Sequence, residues 1–230
     1  MNNENLYTKP LKMTSPLDDI WVWSDLHLGQ ACESWSEPLW SKRGFSSLED
    51  HDATLVERWN ANLTVDSIMF HLGDIMFGMD GSNRIVDFLN SVKFKTLYLM
   101  PGNHYAGYKQ LMEISTESGG IHTHTAAHGG VVHFIHNYLE IYAGKKPVVL
   151  SHYPILSWNS QARGSIMIHG HCHGTLHDTD IGKAYYEGKV LDVGVEMSPE
   201  PQNLKSIINI MKDQKIVETD HHKPSIGNPF

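Results

Sequence analysis

Sixteen histidines stand in a chain of 230 residues that holds only eighteen Lys and Arg together. Histidine is the commonest metal ligand and the usual proton carrier near neutral pH. Five short segments set His, Asp or Asn directly behind an apolar run. They are Asp25-Leu26-His27, Gly73-Asp74, Gly102-Asn103-His104, Ser151-His152 and Gly170-His171-Cys172-His173. Mixed carboxylate, imidazole and amide donors suit Mn²⁺, Fe or Zn²⁺ better than Ca²⁺ or a thiolate site. A fold does not need such residues at successive strand exits, but convergence on metal ions does. Asp74 follows the apolar run Ile68-Met69-Phe70-His71-Leu72. It is the expected hub, a carboxylate shared by two ions.

The apolar runs must supply the positioning elements. Ile20–Trp23, Asp66–Asp74 and Lys95–Met100 read as strands separated by helices. The helix over Glu49–Leu63 sets Leu55, Val56, Trp59 and Leu63 on one face, and a second carries Ile85, Phe88, Leu89 and Val92. A third helix is expected over Tyr105–Thr116. This rhythm implies right-handed crossovers and a parallel sheet, with chemistry at the carboxyl ends of its strands. From Val131 the helices stop. Val131–Ile135, Tyr138–Ala143 and Pro147–Leu150 predict a second, largely antiparallel sheet packed on the first. Ile166–Ile168 and Val190–Val195 are further strands, and Leu204–Met211 a helix. Residues 18–217 read as one domain between two tails, 1–17 and 218–230. Gln30–Asp50 is loop-like, Gly78–Ser82 a turn, and Gly119–Gly130 a soft region with His122, His124 and His128 exposed. In extended geometry Asp25 and His27 share one side of their strand end. The same rule turns Cys172 away from His171 and His173, so it has no ligand role. His71, His169 and His177 are expected behind the ligands or in strands.

In this order the five motifs resemble those of the calcineurin-like metallophosphoesterases, from about Ile20 to Val195. Trp59-Asn60 and His152-Tyr153-Pro154 are similar to small stand-alone bacterial and phage members. The resemblance implies an α/β fold of two packed mixed sheets flanked by helices. It implies that Asp25, His27, Asp74 and His173 hold one ion, and that Asp74, Asn103, His152 and His171 hold the other. His104 would stay free as an acid or phosphate contact. The implied cofactors are two divalent ions, Mn²⁺ foremost with Fe or Zn²⁺ as alternatives, roughly 3.5–4 Å apart and sharing a nucleophilic hydroxide. The family commonly has an acidic residue after the Asn-His pair. Tyr105 stands there instead, which leaves His104 without its usual orienting group.

The net charge of −8 and pI near 6.0 disfavour tight nonspecific duplex binding. No dedicated nucleic-acid-binding element is visible. Cys32 and Cys172 fit free thiols in a reducing cytoplasm better than a disulfide framework. Met1–Pro16 lacks the apolar centre of a signal peptide, and no stretch approaches a membrane span. The expected activity is hydrolysis of a phosphomonoester or phosphodiester, with a small nucleotide-like substrate. Arg43, Tyr105, Trp158 and Arg163 lie in loops beside the motifs, where cations and rings would grip that substrate. Two alternatives keep the same core: a metal-dependent nuclease, and a metal-binding scaffold that has lost catalysis.

Overall fold

The apolar runs do fold as strands, and they sort into two sheets. In chain order the elements are β1 (Leu11–Met13), β2 (Ile20–Trp23), α1 (Leu39–Lys42), α2 (Leu48–Asn62), β3 (Ile68–His71), α3 (Arg84–Ser91), β4 (Thr96–Leu99), α4 (Ala106–Glu113), β5 (Thr116–Ser118), β6 (Ile121–Thr125), β7 (Val131–Phe134), β8 (Tyr138–Ala143), β9 (Lys146–Ser151), β10 (Ile166–His169), α5 (Asp180–Tyr185), β11 (Val190–Asp192), β12 (Gln202–Asn203) and α6 (Leu204–Met211). This computed structural model describes residues 10–31, 37–77, 84–118 and 121–217. The turn expected at Gly78–Ser82, the tail 218–230 and Cys32 lie outside them.

The larger sheet runs β12-β2-β3-β4-β7-β6-β5, with β2, β3, β4 and β7 mutually parallel. The smaller runs β1-β8-β9-β10-β11. Four expectations are corrected here. Val131–Phe134 does not open the second sheet but pairs parallel to β4, Thr96 opposite Val131. The hairpin of β5 and β6 then extends that edge. Nor is the second sheet largely antiparallel: only β8 and β9 pair that way, while β1, β10 and β11 join in parallel. The expected N-terminal tail also ends earlier, because Leu11 pairs with Ile141 and packs against the core between the sheets. His122 and His124 are half-buried on β6, not free, and His122 Nδ1 lies 2.9 Å from Ser115 Oγ. His128 is exposed as expected.

Alternation along the strands builds the layers. Ile20, Val22, Phe70, Leu150 and Ile168 fill the space between the sheets. Trp23, Met69 and Leu97 point the other way, onto Leu55 and Trp59 of α2, Leu89 of α3 and Leu111 of α4. The outer face of the smaller sheet buries Val149, Met167 and Val190 under Trp158, Tyr185 and Tyr186. The molecule is an α/β sandwich of two mixed sheets flanked by helices. Side-chain caps start three of the described helices, Thr179 Oγ1 accepting the Gly182 N–H at 2.9 Å for α5. Ser47 Oγ accepts the Asp50 N–H at 3.1 Å to start α2. The Asn203 side chain accepts from Lys205 N at 3.1 Å and donates to Asp18 O at 2.8 Å, tying α6 to the entry of β2. No helix among the described residues is long and apolar enough to cross a membrane.

His71 faces the helical layer, fully buried, with its ring stacked 6.4 Å from that of Trp59. Burial pulls its imidazole down to about 3, whereas an unfolded His titrates near 6.5. The unfolded chain therefore binds a proton that the folded chain refuses. The stability from neutral His71 is complete above about pH 6.5 and drains away as pH falls towards 3. At pH 5 the loss is about 2 kcal/mol. Urea titrations at pH 7 and pH 5 are expected to show this fall, and His71→Gln to flatten it. An unchanged pH slope in that variant would refute the assignment.

Candidate metal centre

Each strand exit hands its motif into one pocket. Beyond β2 and β3 the two loops stay side by side: Asp25 N–H donates to Gly73 O at 3.1 Å, His27 N–H to Asp74 O at 2.9 Å and Leu28 N–H to Ile75 O at 3.1 Å. Among the described residues, six that are not glycine have positive φ. Five of them are Asp25 (60°), His27 (52°), Asp74 (54°), His171 (73°) and His173 (48°). A left-handed residue with a side chain sits about 1–2 kcal/mol above its relaxed form, and such strain gathers at functional sites. The expectation that Asp25 and His27 align through extended geometry is therefore corrected: curled turns, not strand pleat, aim them. The same holds around Cys172. It lies in a turn, its N–H donating to Gly170 O, and it borders the cleft described below.

The donors converge. Asp25, His27, Asp74 and His152 are at most 2% exposed. Donor atoms of Asp25, His27 and His173 lie within 4.8 Å of one another, as do those of Asp25, Asp74 and His152, and those of His27, Asp74 and His104. Asp74 Oδ2 is 3.6 Å from His27 Nε2 and 3.6 Å from His152 Nε2. Asn103 Oδ1 lies 2.9 Å from His152 Nε2 and 2.8 Å from His171 Nδ1. Thus Asp74 stands between two donor groups, one with Asp25, His27 and His173, the other with His152, Asn103 and His171. Asp25 Oδ1 and both ring nitrogens of His27 are buried without a hydrogen-bond partner. Each such orphan is destabilising by about 1–3 kcal/mol unless something pairs with it. A cation in reach of Asp25 Oδ1 and one His27 nitrogen is the partner whose chemistry those two atoms match.

The electrostatics run the same way. Burial, reinforced by the charges of Asp74 and Asp192 against the pull of His173, lifts Asp25 to about 7. Burial drives His27 well below the usual imidazole range, helped by His173 and Arg43, and takes His152 down to about 4. Burial also lowers His171. Neutral imidazoles are the form that ligates a metal. His173 differs. Burial opposes its charge, but the hydrogen bond and charge of Glu196 prevail and raise it.

Glycines give the carboxylates their room. At Gly102, φ is 73° and a Cβ would overlap Asp74 Oδ1 and its backbone nitrogen. At Gly170 a Cβ would overlap Ser24 Oγ and Asp25 Oδ2. Gly102→Ala is expected to displace the Asp74 carboxylate and weaken metal binding by about 10- to 100-fold, the range seen when a ligand's support is lost. Calorimetric titration with Mn²⁺ checks this. Unchanged affinity would show that Asp74 tolerates the shift.

Of the suspected substrate residues, Arg43 has other work. Its side chain is 4% exposed. It donates to Asp25 O at 2.7 Å and Leu26 O at 2.9 Å, and meets Glu196 Oε1 at 2.9 Å. It thereby braces the left-handed turn that carries Asp25 and His27. Glu196 Oε1 also lies 2.7 Å from His173 Nδ1, which leaves Nε2 to face the pocket. Sequence reasoning missed Glu196: it follows an apolar run like the other motifs, but no His or second acid marks it. Trp158 is 5% exposed under the outer sheet face, its Nε1–H donating to Ser165 Oγ at 2.9 Å, so it has no ring face to offer. Arg163 sits on the adjacent 3₁₀ turn, bonded to Ser160 Oγ at 2.8 Å, away from the donors. Tyr105 remains, 57% exposed beside Asn103 and His104. His169 is buried behind the ligands, bonded to the Tyr186 hydroxyl at 2.9 Å, and His177 stacks on that tyrosine at 3.6 Å.

Among the described residues, two clefts border the donors. One of about 810 Å³ is bordered by His171 and His173, the other of about 390 Å³ by Asn103 and His104.

No family model matches this chain. It is 26% identical over 180 residues to the Gene 66 protein of Mycobacterium phage L5, covering 70% of this chain and 80% of that one. The Gene 66 protein of Mycobacterium phage D29 is also 26% identical, over 189 residues, with 70% and 81% covered. Among solved structures, the protein of unknown function AQ665 from Aquifex aeolicus superposes with a TM-score of 0.56 at 16% identity. That match spans 83% of this chain and 98% of the other. At such identity the likeness shows the shared fold.

Proposed function

We propose that this chain is a phosphohydrolase dependent on two divalent metal ions. The observation that carries the reading is Asp74 Oδ2, equidistant at 3.6 Å from His27 and His152 and standing between two donor groups. Asp25, His27, Asp74 and His173 would hold one ion, and Asp74, Asn103, His152 and His171 the other. Mn²⁺ is the first candidate, with Fe or Zn²⁺ next. Ions held there would supply the Lewis acidity that makes water nucleophilic near neutral pH and would offset the negative charge of a phosphate group. The chain's own residues do the rest. Asp25 and Asp74 bring carboxylate oxygens to the ligand set from two strand exits. Arg43 and Glu196 hold two of the ligands in register. His104 opens on the smaller cleft with its ring 5.2 Å from that of His27 and 5.0 Å from that of Phe77. From there it can steady a phosphate oxygen or protonate the leaving oxygen. Its backbone N–H donates to Asp74 Oδ1 at 2.8 Å, which anchors the residue without a further acid at position 105.

The test is hydrolysis of bis-p-nitrophenyl phosphate and p-nitrophenyl phosphate by protein loaded with Mn²⁺. Folded, metal-loaded protein that cleaves neither, nor any nucleotide in a panel, defeats the proposal. His104→Ala is expected to keep two metals per chain while turnover falls by about 10²- to 10⁴-fold. An equal loss of metal would make His104 a ligand.

A further inference from the structure

The two clefts leave the donor cluster from different members. His27 lies between His173, at 4.9 Å between ring centroids, and His104, at 5.2 Å. His173 borders the larger cleft and His104 the smaller, and among the described residues the two clefts share no bordering residue. A phosphorus atom held at this cluster therefore has room on two sides. The walls differ. Leu39, Phe45, Val195 and Pro199 give the larger cleft apolar surface, and Lys42 and Arg58 give it positive charge. The Arg58 guanidinium lies 5.7 Å from the Phe45 ring centroid. Arg43 and Glu196 also border this cleft and pair with each other. The smaller cleft is lined by Phe77, His104 and Tyr105, with Lys109 and Glu113 3.9 Å apart at its edge. Its charges balance, and its rings dominate.

We infer that the substrate is a phosphodiester with a substituent on each side of phosphorus. The bulkier arm lies in the larger, apolar-walled cleft over Phe45, and a smaller arm lies against Phe77 and Tyr105. This rests on the phosphohydrolase reading and narrows it. A monoester would fill one cleft and leave the other exposed to water. A diester carries one negative charge fewer, so any preference for it must come from burying the second substituent. Burying one aromatic ring is worth about tenfold or more in affinity.

Calorimetry on the Mn²⁺-loaded full chain, with diphenyl phosphate and phenyl phosphate, tests this without relying on turnover, because phenol leaves slowly. Diphenyl phosphate is expected to bind at least about tenfold more tightly. Phe45→Ala and Tyr105→Ala should each erase part of that advantage while leaving phenyl phosphate affinity within about threefold for at least one of them. Equal affinities, tighter phenyl phosphate, no binding of either, or a diester preference untouched by both variants would overturn the two-arm site. A retained diester preference with no cleavage of bis-p-nitrophenyl phosphate would instead sink the hydrolase reading and leave the binding site standing.

Discussion

Asp74→Asn is expected to reduce bound metal from two ions to fewer than one per chain and to lower turnover at least about a thousandfold, or ~4 kcal/mol of barrier. Asparagine keeps the shape and the oxygen that accepts the His104 N–H at 2.8 Å, so the loop should stay folded. What vanishes is the charge between the two donor groups. With the metal removed, the variant should be at least as stable as the wild-type chain. Asp25 is deeply buried and is already pushed up by its neighbour's charge, and Asn at position 74 relieves that repulsion. Metal analysis, steady-state kinetics and melting of the stripped proteins read these outcomes separately. Two metals retained in the variant would contradict the bridging role.

Chelation should have the second-largest effect. At a metal concentration a hundredfold above each dissociation constant, two sites stabilise the fold by about 5 kcal/mol. For a chain of this size that is about 10–20 °C in Tm. Scanning calorimetry is expected to show that fall on adding EDTA and its recovery with excess Mn²⁺. The physical source is the orphaned pair of Asp25 Oδ1 and one His27 ring nitrogen, buried with no partner. A melting point indifferent to both treatments would mean that the fold meets the cost of these groups unaided.

That the seven proposed donor residues and His104 would gather in one place was legible because each stands behind an apolar run. Strand exits in such folds are the places where side chains can meet. What sequence could not supply was how they meet. Asp25 and His27 look like neighbours on a pleat, yet both are left-handed, a state that Asp and His tolerate but that no local pattern here marks. Arg43 illustrates a second blind spot. A cation in a loop reads as facing a ligand, but the turn around Asp25 exposes two carbonyls that need a donor, and Arg43 supplies it. Trp158 is similar: a loop aromatic suggests stacking, while the outer sheet face of Val149, Met167 and Val190 needed covering. The larger sheet's parallel core was readable from its βαβ rhythm. The placement of β7 was not, because a hairpin rather than a helix leads into it. Strand β1, only three residues long, carries too little alternation to detect.

The curled backbone at positions 25, 27, 74, 171 and 173 also filters what mutation can do there. Asn, Asp, His and Gly enter such a conformation readily, while Val, Ile and Thr are turned away by their branched side chains. A lineage that abandoned its chemistry would thus drift towards Asn or Gly at these five places with its loops unaltered. A branched residue at any of them would announce that the loop itself had been rebuilt.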